Sequence, residues 1–116
     1  MKKIFYTLVI IAVSTLNADA KIWRVNNNAG VIANFNNVAA AVTAATAGDT
    51  IYIEGSAINY SGSALAKRLV FIGTGYFLSG ANSNTGLQAN PNAASVGNFA
   101  LDSAASGSVF MGLAGL

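Results

Sequence analysis

Apolar and polar positions alternate in short runs along this chain, and a single segment breaks that rhythm. Ile22-Trp23-Arg24-Val25 is a four-residue alternation that stops at the turn-forming cluster Asn26-Asn27-Asn28-Ala29-Gly30. Thr50 to Glu54 repeats the strand pattern with Ile51 and Ile53 on one face, so Tyr52 should point to the other. Leu69 to Ile72 reads as a third strand, 19 positions on when Ile53 is aligned with Ile72. Asn98 to Asp102 follows, with Phe99 and Leu101 sharing a face. Ser108 to Leu113 closes the series, with Val109, Met111 and Leu113 alternating against Phe110 and Gly112. Stretches rich in Gly, Ser and Asn at 55–63, 73–86 and 88–98 separate these runs, and Pro91 lies in the last of them.

The break in rhythm lies between the first two strands. Phe35, Val38, Val42 and Ala45 recur at spacings of 3, 4 and 3, which predicts a helix over 36–46. Asn34 or Asn36 can cap its start, and Gly48 is placed to end it with a left-handed residue. Alanines at 39–41, 44 and 45 favour helix and permit close approach to a neighbour. A helix of this length does not hold in water alone, so it must lie against something apolar. Short strands joined by Asn- and Gly-rich corners suit a sandwich of hairpins or a stack of coils. No Asn-Gly or Asp-Gly pair joins neighbouring strands, which tells against hairpins.

The first twenty residues form a unit of their own. Lys2 and Lys3 precede an apolar-dominated stretch from Ile4 to Leu16, and Ala18-Asp19-Ala20 offers small residues for cleavage before Lys21. This is the pattern of an export signal, too short for a spanning helix, which needs ~20 apolar residues. Removing it leaves no expected membrane span and places the protein in the periplasm, on the outer surface or in the medium. The absence of cysteine excludes disulfides and a lipid anchor at the cleavage site. The remaining 96 residues carry four cations (Lys21, Arg24, Lys67, Arg68) and three acids (Asp49, Glu54, Asp102). Four scattered cations make no phosphate-binding stripe, so nucleic acid is not an expected partner. Asn, Ser, Thr and Gly must supply most of the surface polarity.

In this order, "WRVNNNAG", "FNNVAAAVTAATAGDTIYIEGS", "LAKRLVFIGTGYFL" and "SGSVFMGL" resemble the start of right-handed parallel β-helix proteins of the pectate-lyase-like fold, in particular exported proteins of the Bacteroidetes type. The resemblance covers essentially all of residues 21–116. It implies a mainly β solenoid whose first coil is capped by a short amphipathic helix, with Phe35, Val38, Val42 and Ala45 as the capping face. Such a cap keeps the first coil's core from water. The apolar last strand has no second cap. The chain is therefore expected to comprise the first coils of a longer β-helix, incomplete at its C-terminus, and to self-associate through its open last coil. Proteins similar in this way include polysaccharide lyases, polygalacturonases and adhesins, so the fold leaves activity open.

Candidate chemistry is sparse. The lack of both histidine and cysteine removes histidine-based triads, thiol nucleophiles and ordinary zinc sites. Asp49 reads as a turn residue, Glu54 as solvated at a strand end, and Asp102 as the start of a turn. Glycoside hydrolysis needs two carboxyl groups ~5–9.5 Å apart, and the spacing of Asp49 and Glu54 does not show that they converge. Lys67-Arg68 reads as a solvated corner. Gly73-Thr74-Gly75 departs from a nucleotide-binding loop, because its third glycine falls late and no helix pattern follows. Trp23, Tyr52, Tyr60 and Tyr76 would make a sugar-stacking platform if they shared a face, with Trp23, Tyr52 and Tyr76 the candidate glycan contacts. The expected function is a non-catalytic exported scaffold that contacts polysaccharide or cell-surface glycan, with no cofactor, no metal and no catalytic residue. The alternatives are the N-terminal part of a polysaccharide lyase or glycosidase with its active site beyond residue 116, an adhesin-like binding module, and a truncated product.

Overall fold

The computed structural model describes residues 3, 19–75 and 92–116. Most of the expected leader, Tyr76 and Pro91 lie outside them. The described chain is mainly β, with eight short strands and one α-helix of more than a single turn. The strands are β1 (Ile22–Val25), β2 (Thr50–Ile53), β3 (Ala64–Leu65), β4 (Val70–Gly73), β5 (Ala94–Ser95), β6 (Ala100–Leu101), β7 (Val109–Met111) and β8 (Leu113–Ala114). The helix, α1, is Val38–Ala44.

Every strand pairing is parallel. The largest sheet has the order β1-β2-β4-β7, while β3 pairs with β6 and β5 with β8. An isolated parallel bridge, Tyr60 to Val96, lies between these sheets in sequence. Each return of the chain thus adds a strand beside the one laid down before it. No hairpin occurs among the described strands, in keeping with the missing two-residue turns.

The register decides which side chains enter the core. Trp23, Ile51, Phe71 and Phe110 are aligned across the main sheet, as are Val25, Ile53 and Gly73. Ile51, Ile53, Phe71 and Val25 are fully buried. The intervening rows, Ile22-Thr50-Val70-Val109 and Arg24-Tyr52-Ile72-Met111, lie on the opposite face because successive strand residues alternate. The expected alignment of Ile53 with Ile72 is therefore wrong by one residue: Ile53 lies beside Gly73, and Ile72 faces outward beside Tyr52. A one-residue slip exchanges the two faces, and the choice here buries Phe71 in place of Ile72. Gly73 allows that choice, since a Cβ on it would lie 2.4 Å from the Gly112 carbonyl oxygen and 2.6 Å from Leu113 Cδ2.

Phe71 is the centre of the far half of the core. It stacks on Phe110 with centroids 5.0 Å apart and planes 3° apart, and meets Phe99 at 4.9 Å in a tilted contact. These separations fall within the favourable range for aromatic pairs. The expected strand over 98–102 shrinks to β6, and that over 108–113 divides into β7 and β8 at Gly112, whose φ is 65°. Phe110 takes the inward position, so Val109 and Met111 are exposed.

The helix is shorter than the expected 36–46 and is capped by Asn37, not by Asn34 or Asn36: the Asn37 side chain accepts a hydrogen bond from the Ala40 N–H at 2.8 Å. Asn34 serves β1 instead, accepting from the Arg24 N–H at 2.8 Å. The helix ends at Ala45 with extended backbone, and Gly48 (φ 94°) turns the chain three residues later. Val38, Ala41, Val42 and Ala45 are buried, Phe35 packs half-buried against the core, and α1 rests on β1 and β2. No helix among the described residues is long and apolar enough to cross a membrane.

Phe71→Ala should lower the unfolding free energy by about 3–5 kcal/mol, the usual cost of emptying a large aromatic core position. Tyr52→Ala, on the outward row, should cost less than about 1 kcal/mol. Urea unfolding of the two variants beside the parent checks both values.

Candidate functional site

The most connected polar group is Asp49, immediately before β2. It is 3% exposed, and both carboxylate oxygens are engaged. Oδ1 accepts from the Lys21 N–H at 2.9 Å, and Oδ2 accepts from Trp23 Nε1 and from the Thr46 N–H, each at 2.9 Å. The backbone of Asp49 joins the same junction, its N–H donating to Thr46 O and its carbonyl accepting from the Val70 N–H. One residue thus ties the start of β1, the turn after α1, and β4. It is more than the turn residue expected from its place after Gly48.

Burial acts to raise the Asp49 pKa, but hydrogen bonds from the Lys21 and Thr46 backbone and from the Trp23 indole outweigh it and hold the carboxyl at about 2, below its ordinary 3.8. Donors that satisfy the charged form favour ionisation in this way. The result is an anion at neutral pH with both oxygens engaged by N–H donors. It is a poor general base.

Glu54, at the other end of β2, forms a second cluster. Its Oε1 pairs with the Arg24 guanidinium, and Oε2 accepts from Asn26 Nδ2. Asn26 Oδ1 in turn accepts from both nitrogens of Asn28, whose Nδ2 also donates to Gly55 O. The expectation of a solvated Glu54 is corrected: its side chain is 17% exposed because Arg24 lies one strand away on the same face. Tyr60 is buried beneath this cluster, donating to Glu54 O at 2.8 Å and accepting from the Asn27 N–H at 3.2 Å. Burial pushes its phenol above the ordinary 10.0; the hydrogen bond from the Asn27 N–H opposes this, and the nearby Glu54 charge adds a smaller push upward.

The candidate residues do not converge on a reaction centre. Asp49 and Glu54 stand at opposite ends of an extended strand, about 16 Å apart along the chain at ~3.3 Å per residue, too far for paired carboxylate catalysis. Asp102 caps the short 3-10 turn Ser103–Ala105 by accepting from the Ser103 N–H. Lys67, expected at a solvated corner, donates from Nζ to the Ala45 carbonyl at the end of α1. Among the described residues no group of three metal-ligating side chains occurs.

The aromatic candidates are likewise dispersed. Trp23 belongs to the inward row, tilted against Phe35 at 5.5 Å, with Lys21 Nζ 3.7 Å from its ring centroid. Tyr52 belongs to the outward row, and Tyr60 is 3% exposed in the core. Trp23, Tyr52 and Tyr60 make no common platform, and Tyr76 lies outside the described residues. One apolar surface does stand open beyond β7: Asn98, Phe99, Leu101, Phe110 and Leu116 line a shallow depression of about 280 Å³. Leu101 pairs in register with the buried Leu65 yet is 58% exposed.

No family model matches the chain, and searches of curated proteins and of solved structures return no match.

Asp49 gives the fold an acid limit with a defined sign. Because its folded pKa is depressed, its contribution is present above the unfolded value of 3.8 and is lost as pH falls towards about 2. Thermal midpoints should fall across that window in the parent and less steeply in Asp49→Asn. That variant should also lose about 1–3 kcal/mol at neutral pH, since it removes the charged acceptor from three N–H groups. A pH series of melting curves for both proteins checks the two effects.

Proposed function

We propose that this chain is the capped N-terminal part of a right-handed parallel β-helix and acts as a non-catalytic scaffold in an exported protein, in the periplasm, on the cell surface or in the medium. The observation that carries this reading is the all-parallel ladder β1-β2-β4-β7, laid down in chain order and covered at β1 by α1. A helix resting on the first strands keeps the apolar row of a stack from water, which is what a terminal cap must do. The leader pattern of residues 1–20 supports export.

The distribution of acids supports a structural role. Asp49, Glu54 and Asp102 each complete a hydrogen-bond arrangement of the backbone or a neighbouring strand, and none faces a groove with a second carboxylate. The separation of Trp23 from Tyr52 removes the simplest means of stacking a sugar ring, so the scaffold reading is preferred to glycan binding by this segment.

The native protein recovered from its source's exported fraction provides the test. It should show a far-UV circular dichroism spectrum dominated by β structure and no turnover of neutral or uronate-containing polysaccharides. A helix-dominated spectrum would overturn the architecture. Turnover that survives in the 1–116 chain would overturn the non-catalytic role.

A further inference from the structure

We propose that cleavage between Ala20 and Lys21 completes the Asp49 hub, converting the Lys21 nitrogen that already rests on this carboxylate into an α-ammonium paired with it. The inference rests on the export reading, which supplies the cleavage, and adds a structural consequence to it.

The geometry is set before any bond is cut. Lys21 N lies 2.9 Å from Asp49 Oδ1, while Oδ2 is occupied by Trp23 and Thr46. The Lys21 carbonyl accepts from the Thr50 N–H at 2.8 Å, and its side-chain ammonium sits over Trp23. Contacts on the C-terminal side of the scissile bond therefore fix the position of this nitrogen. Ala20 and Lys21 are exposed, so the bond is reachable, whereas Asp49 is buried.

Hydrolysis adds one water across the Ala20–Lys21 peptide bond. It leaves a carboxylate on Ala20 and an amine on Lys21, which is protonated at neutral pH. A buried carboxylate held by neutral N–H donors thereby gains a full countercharge at hydrogen-bond distance, a stronger pairing than the amide it replaces. Asp19, the acid two residues before this nitrogen, departs with the leader on cleavage, and the other ionisable groups on segments around the hub are engaged elsewhere or reach it through backbone. Lys21 Nζ lies over the indole, Lys67 Nζ bonds Ala45 O, and Arg68 contributes its carbonyl to the Gly48 N–H. Pairing raises the amine's folded pKa. The added stability is thus fully present below the unfolded value, ~8, and is lost as pH rises through the folded one.

The test uses the full chain, purified in a mild detergent, before and after treatment with a bacterial signal peptidase. The expected product has the mass of residues 21–116 and melts about 4–8 °C above the uncut chain at pH 7 in the same detergent. That gain should fade at alkaline pH and be absent in Asp49→Asn. If Asp49→Asn does not fold, an NMR titration of the Lys21 α-amine in the cut parent protein decides, with a pKa above ~8 expected. An amine titrating at or below that value, or an equal gain in Asp49→Asn, overturns the pairing alone. A mass showing no cut at Ala20 overturns the pairing and counts against the export reading as well.

Discussion

Parallel pairing in register sets like positions beside one another, so each inward side chain must suit both the strand before it and the strand after it. That constraint governs the core of this molecule. Trp23, Ile51, Phe71 and Phe110 form one inward row, and Val25, Ile53 and Gly73 form the other. The second row tapers from valine and isoleucine to glycine because the chain at Gly112 and Leu113 comes up against Gly73. From Ile51 onward the first row widens to the stacked Phe71 and Phe110, keeping the space beside Gly73 filled. The two rows compensate each other, and a shift of register by one residue would break both.

A chain with charged residues at only 9% of its positions must satisfy strand ends and corners by other means. Asparagine supplies most of them near β1. Asn34 holds the Arg24 N–H, Asn37 caps α1, and Asn26 and Asn28 link the end of β1 to Gly55 and Glu54. The charges that remain are concentrated at the two ends of β2, where Asp49 and Glu54 each tie it to β1. Buried polar groups stabilise when all their bonds are made and cost heavily when they are not. The first two strands are therefore joined by polar connections of the kind that specify one arrangement, as well as by apolar packing.

Much of this was legible in the sequence, and the failures have physical reasons. Period-two alternation located β1, β2, β4 and β7 to within a residue or two, and the 3-4-3 spacing located α1. The two-residue strands β3 and β5 carry no such signal, since Ala-Leu or Ala-Ser within polar loops is too short to show a period. Alternation also leaves the inward face undecided: Val70 to Gly73 reads equally well with Phe71 or with Ile72 buried, and only the Gly73–Gly112 approach distinguishes them. The cap falls one position from the expected one because three asparagines, at 34, 36 and 37, compete for the same role. Asp49 and Glu54 were read by local context, whereas their partners Lys21, Trp23, Arg24 and Asn26 lie 26–30 residues away in sequence. Tyr60 was weighed as a surface aromatic, and nothing in Asn59-Tyr60-Ser61 indicates a buried phenol.

The two edges of the main sheet differ in kind. At β1, Phe35 exchanges backbone hydrogen bonds with Arg24 and Asn26, so the C-terminal half of that edge is occupied by the segment that leads into α1. At β7 no further strand follows in the described sheet, and Phe99, Leu101, Phe110 and Leu116 border an open depression. An occupied edge has no free backbone groups to template another strand, whereas an unpaired one does. The ladder is consequently directional: Asp49, Asn34 and the helix anchor it at β1, and in the described sheet the edge beyond β7 stays open. Stabilising the anchored side, where Lys21 meets Asp49, strengthens the foundation on which each later strand packs without altering the surface that β7 presents.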